Sequence, residues 1–215
     1  MSIITLDFET YYDQEYSLSK LTTEEYVRDD RFEVIGVAVK VDDGETKWCA
    51  GSHEQIKSFL DTFNWSESLV LAHNTLFDGA IMSWRFGIKP MGWLDTLAMA
   101  RAIDGVEAGN SLAKLADRYA IGTKGTEVIM AKGMRRKHFK PEQLAQYGNY
   151  CINDVEITYK LFSILSQGVG KKELKLIDLT LRMFTEPSLV LNLPLLEQHL
   201  VEVIDRKEKL IAEAS

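Results

Sequence analysis

The sequence predicts a mixed α/β domain whose carboxyl-terminal half is helical. Three observations predict it. Apolar runs of strand length alternate with stretches of helical period as far as about residue 95, and only helical period follows. The chain has 215 residues, 46% of them hydrophobic, enough to bury one sizeable core. It contains neither an internal repeat nor a low-complexity tract.

Each element has its own local reason. Ser2 to Phe8 carries Ile3, Ile4, Leu6 and Phe8 and reads as a strand. After a polar stretch from Tyr12 to Asp30, residues 32–41 and the short segment 45–50 read as two strands, and the turn Asp42-Asp43-Gly44 joins them as a hairpin. Helical spacing runs through Ile56, Phe59, Leu60 and Phe63, and residues 68–73 resume a buried strand. Leu76 to Phe86 reads as a helix, and Gly92-Trp93-Leu94 as a brief strand before Asp95. Helices are then expected over about 96–102, 111–119, 141–165, 171–185 and 194–214.

Composition excludes several classes. Cys49 and Cys151 form no disulfide framework and no zinc-type spacing, which fits a reducing cytoplasm. The amino terminus lacks a charged-then-apolar signal segment, and no apolar run approaches the ~18 residues a bilayer span needs, so no membrane partner is expected. A formal net charge of −7 argues against sequence-blind adhesion to nucleic acid. A nucleic-acid partner would need metal ions and a local basic patch.

Four carboxylates carry the chemistry. Asp7 and Glu9 lie two apart on the first strand, so both leave one face of the pleat and one cation can meet both. The pair alone also fits a strand with a wet face. Asp78 falls in the first turn of a helix that follows a buried strand, where a carboxylate also suits the helix dipole. His73 and Asn74 precede it at the strand end, where α/β folds place ligands, although Asn74 is equally a capping residue. Tyr150 and Asp154, four apart on the long helix, lie beside a buried stripe through Leu144, Tyr147, Cys151, Val155, Tyr159 and Phe162. The pair alone fits, rather better than catalysis, a surface Tyr and Asp at the edge of that stripe. A buried carboxylate there is costly unless compensated. Converging carboxylates repel in a desolvated cleft, and divalent metal is the natural remedy.

Asp95 reads as a helix cap, and His138 and His199 as surface histidines. One basic cluster interrupts the acidic background: Lys132, Arg135, Arg136, Lys137 and Lys140, interleaved with His138 and Phe139. Such a cluster can hold a single strand's backbone while a base stacks, and equally can be a solvated loop; Gly125 and Gly133 predict that it is mobile.

The order of these motifs, Asp-x-Glu-Thr at 7–10, His-Asn-x-x-x-Asp at 73–78 and Tyr-x-x-x-Asp at 150–154, resembles the DEDD exonucleases of the ribonuclease-H-like, DnaQ-like superfamily, in their tyrosine-bearing branch. The likeness is nearest to the 3′→5′ proofreading domain of bacteriophage family A, polymerase I-like DNA polymerases. That resemblance implies a ribonuclease H-like mixed central sheet flanked by helices. It implies an exonuclease domain over 1–167 and, over 168–215, a helical extension like the connection to a polymerase domain. The chain ends at Ser215 within the last helix, as expected of a split gene product or an excised piece.

Carried over by position, the resemblance makes Asp7, Glu9, Asp78 and Asp154 ligands of two Mg2+ or Mn2+ ions, and gives Tyr150, with Glu9, the orientation of the attacking water. It gives Thr10, His73, Asn74 and Phe77, with Arg135, Arg136 and Lys137, contacts to the substrate. The expected partner is a single-stranded DNA 3′ end, with a family A polymerase domain or subunit as a second. An exoribonuclease of the same fold and a non-catalytic strand- or polymerase-binding module are the alternatives. Asp-x-Glu-Thr also approximates the strand end of haloacid-dehalogenase-like phosphatases, but Glu9 stands where those enzymes need aspartate.

Overall fold

A computed structural model describes residues 2–123 and 131–214. Its centre is a sheet of five strands in the order β3-β2-β1-β4-β5. The strands are β1 (Ser2–Thr10), β2 (Val34–Val41), β3 (Lys47–Ala50), β4 (Ser68–Ala72) and β5 (Gly92–Asp95). β1 pairs antiparallel with β2 and parallel with β4, so the sheet is mixed as expected. The hairpin between β2 and β3 turns where Asp42 takes a left-handed φ of 48°, and Gly44 N–H closes it on the Val41 carbonyl at 2.9 Å.

The α-helices among the described residues are α1 (Thr23–Arg28), α2 (His53–Leu60), α3 (Thr75–Ala80), α4 (Thr96–Asp104), α5 (Leu112–Arg118), α6 (Pro141–Leu165), α7 (Lys171–Thr185) and α8 (Leu193–Glu213). Two depart from the sequence reading. The polar stretch 12–30 contains α1, started by a reciprocal cap in which Thr22 accepts from Glu25 N–H and the Glu25 side chain accepts from Thr22 N–H. The helix expected over 76–86 is α-helical only to Ala80 and continues as a wider π turn over Ile81–Arg85.

The largest core cluster runs from Ile4, Leu6 and Phe8 on β1 to Trp93 on β5 and Leu161 on α6. α6 meets the sheet closely for a specific reason. A Cβ on Gly36 of β2 would stand 2.2 Å from the Trp48 ring, and one on Gly148 of α6 would stand 2.6 Å from it. The indole of Trp48 therefore lies against two glycines, and neither position tolerates a side chain. α7 packs on β5 and α3 through Ile177, Leu181 and Thr185, and the Asp178 side chain accepts from Trp93 N–H at 2.8 Å. None of α8 is buried; Leu195, Leu196, Leu200, Val203 and Ile204 are exposed.

Candidate active site

The chemistry-bearing residues meet where β1 outruns one of its neighbours. β1 pairs with β4 only from Ser2 to Thr5, whereas its pairing with β2 continues to Thr10. Past Thr5, the backbone on the β4 side turns to α3 for its partner. Phe8 N–H donates to Asp78 Oδ1 at 3.1 Å, which fixes Asp78 beside the strand segment that bears Asp7 and Glu9. Asp78 is 2% exposed. Burial, and then the Asp7 charge, push its carboxyl well above the ordinary value.

From the opposite side α6 closes on the same segment. Cys151 Sγ lies 3.2 Å from the Asp7 carbonyl and 3.4 Å from Asp7 Oδ2, while the Tyr147 hydroxyl donates to Glu9. Ligand atoms of Asp7, Glu9 and Cys151 all lie within 4.8 Å of one another. Burial, then Glu9, raises the Tyr147 phenol, which remains a donor to that carboxylate. Asp154, one turn beyond Cys151, is 4% exposed, and Tyr150 is 8% exposed in a cluster with Ile35, Ala131 and Tyr147. Neither is the surface residue that the edge of the predicted stripe allowed. The buried side of α6 runs through Tyr150, Asp154, Ile157, Thr158 and Leu161, and Tyr159 and Phe162 are only half-buried.

Two contacts were not anticipated. Tyr147 and Cys151 were expected only as core stripe, yet Tyr147 holds Glu9 and Cys151 touches Asp7. The signal was present in the spacing: both share a helical face with Tyr150 and Asp154. Carboxylate oxygens from Asp7 and Glu9, with the raised carboxyl of Asp78 beside them, are the donors a hard divalent cation takes. The residues present fit such a cation.

The family model described as 3′-5′ exonuclease, of the type found with family A DNA polymerases, matches residues 9–169. The chain belongs to this 3′-5′ exonuclease family. Solved structures agree in fold. Brucella melitensis NrnC superposes with a TM-score of 0.61 at 14% identity, over 85% of this chain and 81% of that one. Trypanosoma brucei RNase D in complex with RNA U12 gives 0.61 at 17% identity, over 88% and 65%. The catalytic core of Trypanosoma brucei RRP6 gives 0.60 at 13%, over 85% and 45%. No curated protein sequence matches the chain.

Around the carboxylates of this exonuclease, the positions expected to contact substrate divide into engaged and open ones. Thr10 Oγ1 is hydrogen-bonded to the Tyr26 hydroxyl at 2.8 Å and is buried. His73 is held between Thr96 Oγ1 at 2.9 Å and the Asn110 carbonyl at 3.1 Å. Asn74 does not cap α3 with its side chain; it is exposed in a left-handed conformation, φ 70°, and its N–H donates to Asp95. Asp95 also accepts from Leu97 N–H and is the helix cap expected. Phe77 is half-buried, its ring 5.9 Å from that of Tyr26.

The basic segment is tied down in part. Arg135 pairs with Glu33 at 2.8 Å and lies 4.0 Å over the Tyr11 ring, Gly133 N–H donates to the Tyr12 carbonyl, and Phe139 stacks on Tyr147 at 5.6 Å. Arg136 lines a cleft of about 540 Å³ with Arg85, His53 and Glu33. Lys137 and His138 face solvent, as does His199 on α8. Gly125 and the mobility read from it lie outside the described residues.

Proposed function

We propose that this exonuclease is metal-dependent and removes nucleoside 5′-monophosphates from the 3′ ends of single-stranded or frayed DNA, in the service of polymerase proofreading. One observation carries the reading: β1 brings Asp7 and Glu9 to the point where Asp78 from α3 and the Tyr147 and Cys151 face of α6 converge on the same segment. Asp7, Glu9, Asp78 and Asp154 would hold two ions, Mg2+ or Mn2+. Such a pair supplies positive charge for the attacking water and for the departing 3′ oxygen.

The remaining work falls to the chain. Water attacks the terminal phosphorus, the bond from phosphorus to the 3′ oxygen breaks, and the 5′-monophosphate leaves. Tyr150 orients that water together with Glu9; a tyrosine with a reference pKa near 10 is too weak a base to do more at neutral pH. Tyr147 fixes the Glu9 carboxylate through its hydroxyl. Asn74 and Phe77 receive the terminal nucleotide, while Arg136 and Lys137 approach the phosphates behind it. Thr10 and His73 shape the wall through contacts already made. The exposed apolar residues of α8 would meet a polymerase domain or subunit, and the compartment would be the cytoplasm.

An exoribonuclease is the second reading, and it has support of its own: one fold neighbour is a complex with RNA U12, and another is NrnC bound to pGG. Matched 3′-labelled DNA and RNA strands, digested by wild type and by Asp7→Ala, test both readings. The proposal expects faster loss of the DNA strand and none from the variant. Preference for RNA would move the assignment to the second reading, and equal digestion by wild type and variant would remove the site.

A further inference from the structure

Cys151 has no part in the hydrolysis described above, yet its sulfur stands among the carboxylates. The thiol is fully buried on α6, and Trp48 packed on Gly148 holds that helix against the sheet. Sγ lies 3.4 Å from Asp7 Oδ2, and Asp7, Glu9 and Cys151 each offer a ligand atom within 4.8 Å of the other two. A tetrahedral centre with sulfur at about 2.3 Å and oxygen at about 2.1 Å separates the two donors by about 3.6 Å. The spacing found is within a few tenths of an ångström of that edge.

We infer that Cys151 completes, with Asp7 and Glu9, a mixed sulfur and oxygen donor set that captures a thiophilic divalent cation of the Zn2+ or Cd2+ class. The inference rests on Asp7 and Glu9 being cation ligands, as proposed above. An all-oxygen site takes hard cations, and one thiolate tilts the preference toward soft ones. On capture the S–H bond is lost, a sulfur-to-metal bond forms, the proton leaves to solvent, and nothing is oxidised or reduced. Because Asp7 and Glu9 are shared, a captured soft cation excludes the Mg2+ or Mn2+ of catalysis.

The test is a Cd2+ titration of the whole chain, followed by sulfur-to-metal charge-transfer absorbance, with Mn2+ calorimetry in parallel. A saturable band at one Cd2+ per chain is expected, kept in Cys49→Ala and lost in both Cys151→Ser and Cys151→Ala. Cd2+ affinity should fall at least about tenfold in each Cys151 variant, while Mn2+ affinity stays within about threefold of wild type. A band that survives both Cys151 variants overturns the inference, as does its absence from wild type that still binds Mn2+. Wild type that binds neither ion overturns the ligand assignment of Asp7 and Glu9 with it. Using two replacements, each checked for its thermal transition, separates a lost donor from a lost fold.

Discussion

α6 carries acids to two places on the sheet, and they are treated differently. Glu156 leans toward β2 and meets Lys40 at 2.8 Å and the Thr46 hydroxyl. Burial raises its carboxyl, but Lys40 and Thr46 outweigh that and the net shift is downward. Two residues earlier, Asp154 belongs to the buried side that meets the end of β1, where Asp78 is pushed well up by burial and by Asp7. One carboxylate was given a lysine; in the other group a buried carboxyl, Asp78, is raised by burial and by the acid beside it. Structural ion pairs are completed by the chain, whereas a buried acid held next to another becomes comfortable only when charge arrives from outside.

The sharpest way to break this contrast is to remove one acid from each side and compare exonuclease rates. On the proposed assignment of Asp7 as a metal ligand, Asp7→Ala should lower turnover by at least about a thousandfold, because losing such a ligand removes several kcal/mol of charge stabilisation. Glu156→Gln should leave turnover within a few-fold at temperatures where the variant is folded. Comparable losses in single-turnover digestion would mean that the two acids do similar work. A smaller effect is expected at Tyr150. Tyr150→Phe keeps the ring in its cluster and loses the hydroxyl, so turnover should fall by about 10- to 100-fold with Mn2+ affinity unchanged. A matching loss of Mn2+ affinity in calorimetry would make Tyr150 a support for the ligands instead.

The contrast was partly legible in the sequence. Period two placed Asp7 and Glu9 on one face, and the strand and helix order foretold the sheet, because both follow from hydrophobic spacing alone. The face of α6 that carries Cys151 was legible from its spacing, but the closeness of its approach to Asp7 was not, since that depends on Trp48 fitting against both Gly36 and Gly148. Nor was the anchoring of Arg135, which needs Glu33 and Tyr11 brought beside it by the fold. α1 was readable in principle from Thr22 and Glu25, but six residues of mixed polarity give little periodic signal. Lys40 pairing with Glu156 joins positions 116 apart, which no local pattern encodes.

Stability should separate the two regions in sign. Glu156→Gln removes a half-buried ion pair and should cost about 2 kcal/mol, less than the 3–5 kcal/mol of a fully buried pair because the Glu156 side chain is 33% exposed. Its folded pKa lies below the ordinary 4.5, so its contribution is complete above pH 4.5 and is lost as pH falls through the folded value. Asp78 runs the other way. Its folded pKa lies above 3.8, so its ionisation destabilises the metal-free fold increasingly as pH rises from 3.8 toward the raised value. Asp78→Asn should therefore raise the metal-free Tm at neutral pH. Mn2+ at 100 times its Kd should raise the wild-type Tm by about 5–10 °C and the variant's by much less. A lower metal-free Tm for Asp78→Asn would show that its charge is already compensated.

The same distinction between completed and open charges divides the basic segment, and here the expected effect is smallest. Arg135 is spent on Glu33 and Tyr11, so Arg135→Ala should lower Tm and barely alter how strand binding depends on salt. Lys137 faces solvent, and a phosphate contact from it would release about one counterion on binding. Lys137→Ala should then leave Tm unchanged and reduce the slope of log K against log salt by about 0.7, the single-strand increment for one phosphate. Fluorescence anisotropy with a labelled oligonucleotide, run with Asp7→Ala to prevent digestion, measures that slope. An unchanged slope would place Lys137 outside the path of the strand and leave Arg136, which lines the cleft with Arg85 and His53, as the cation that meets the phosphates.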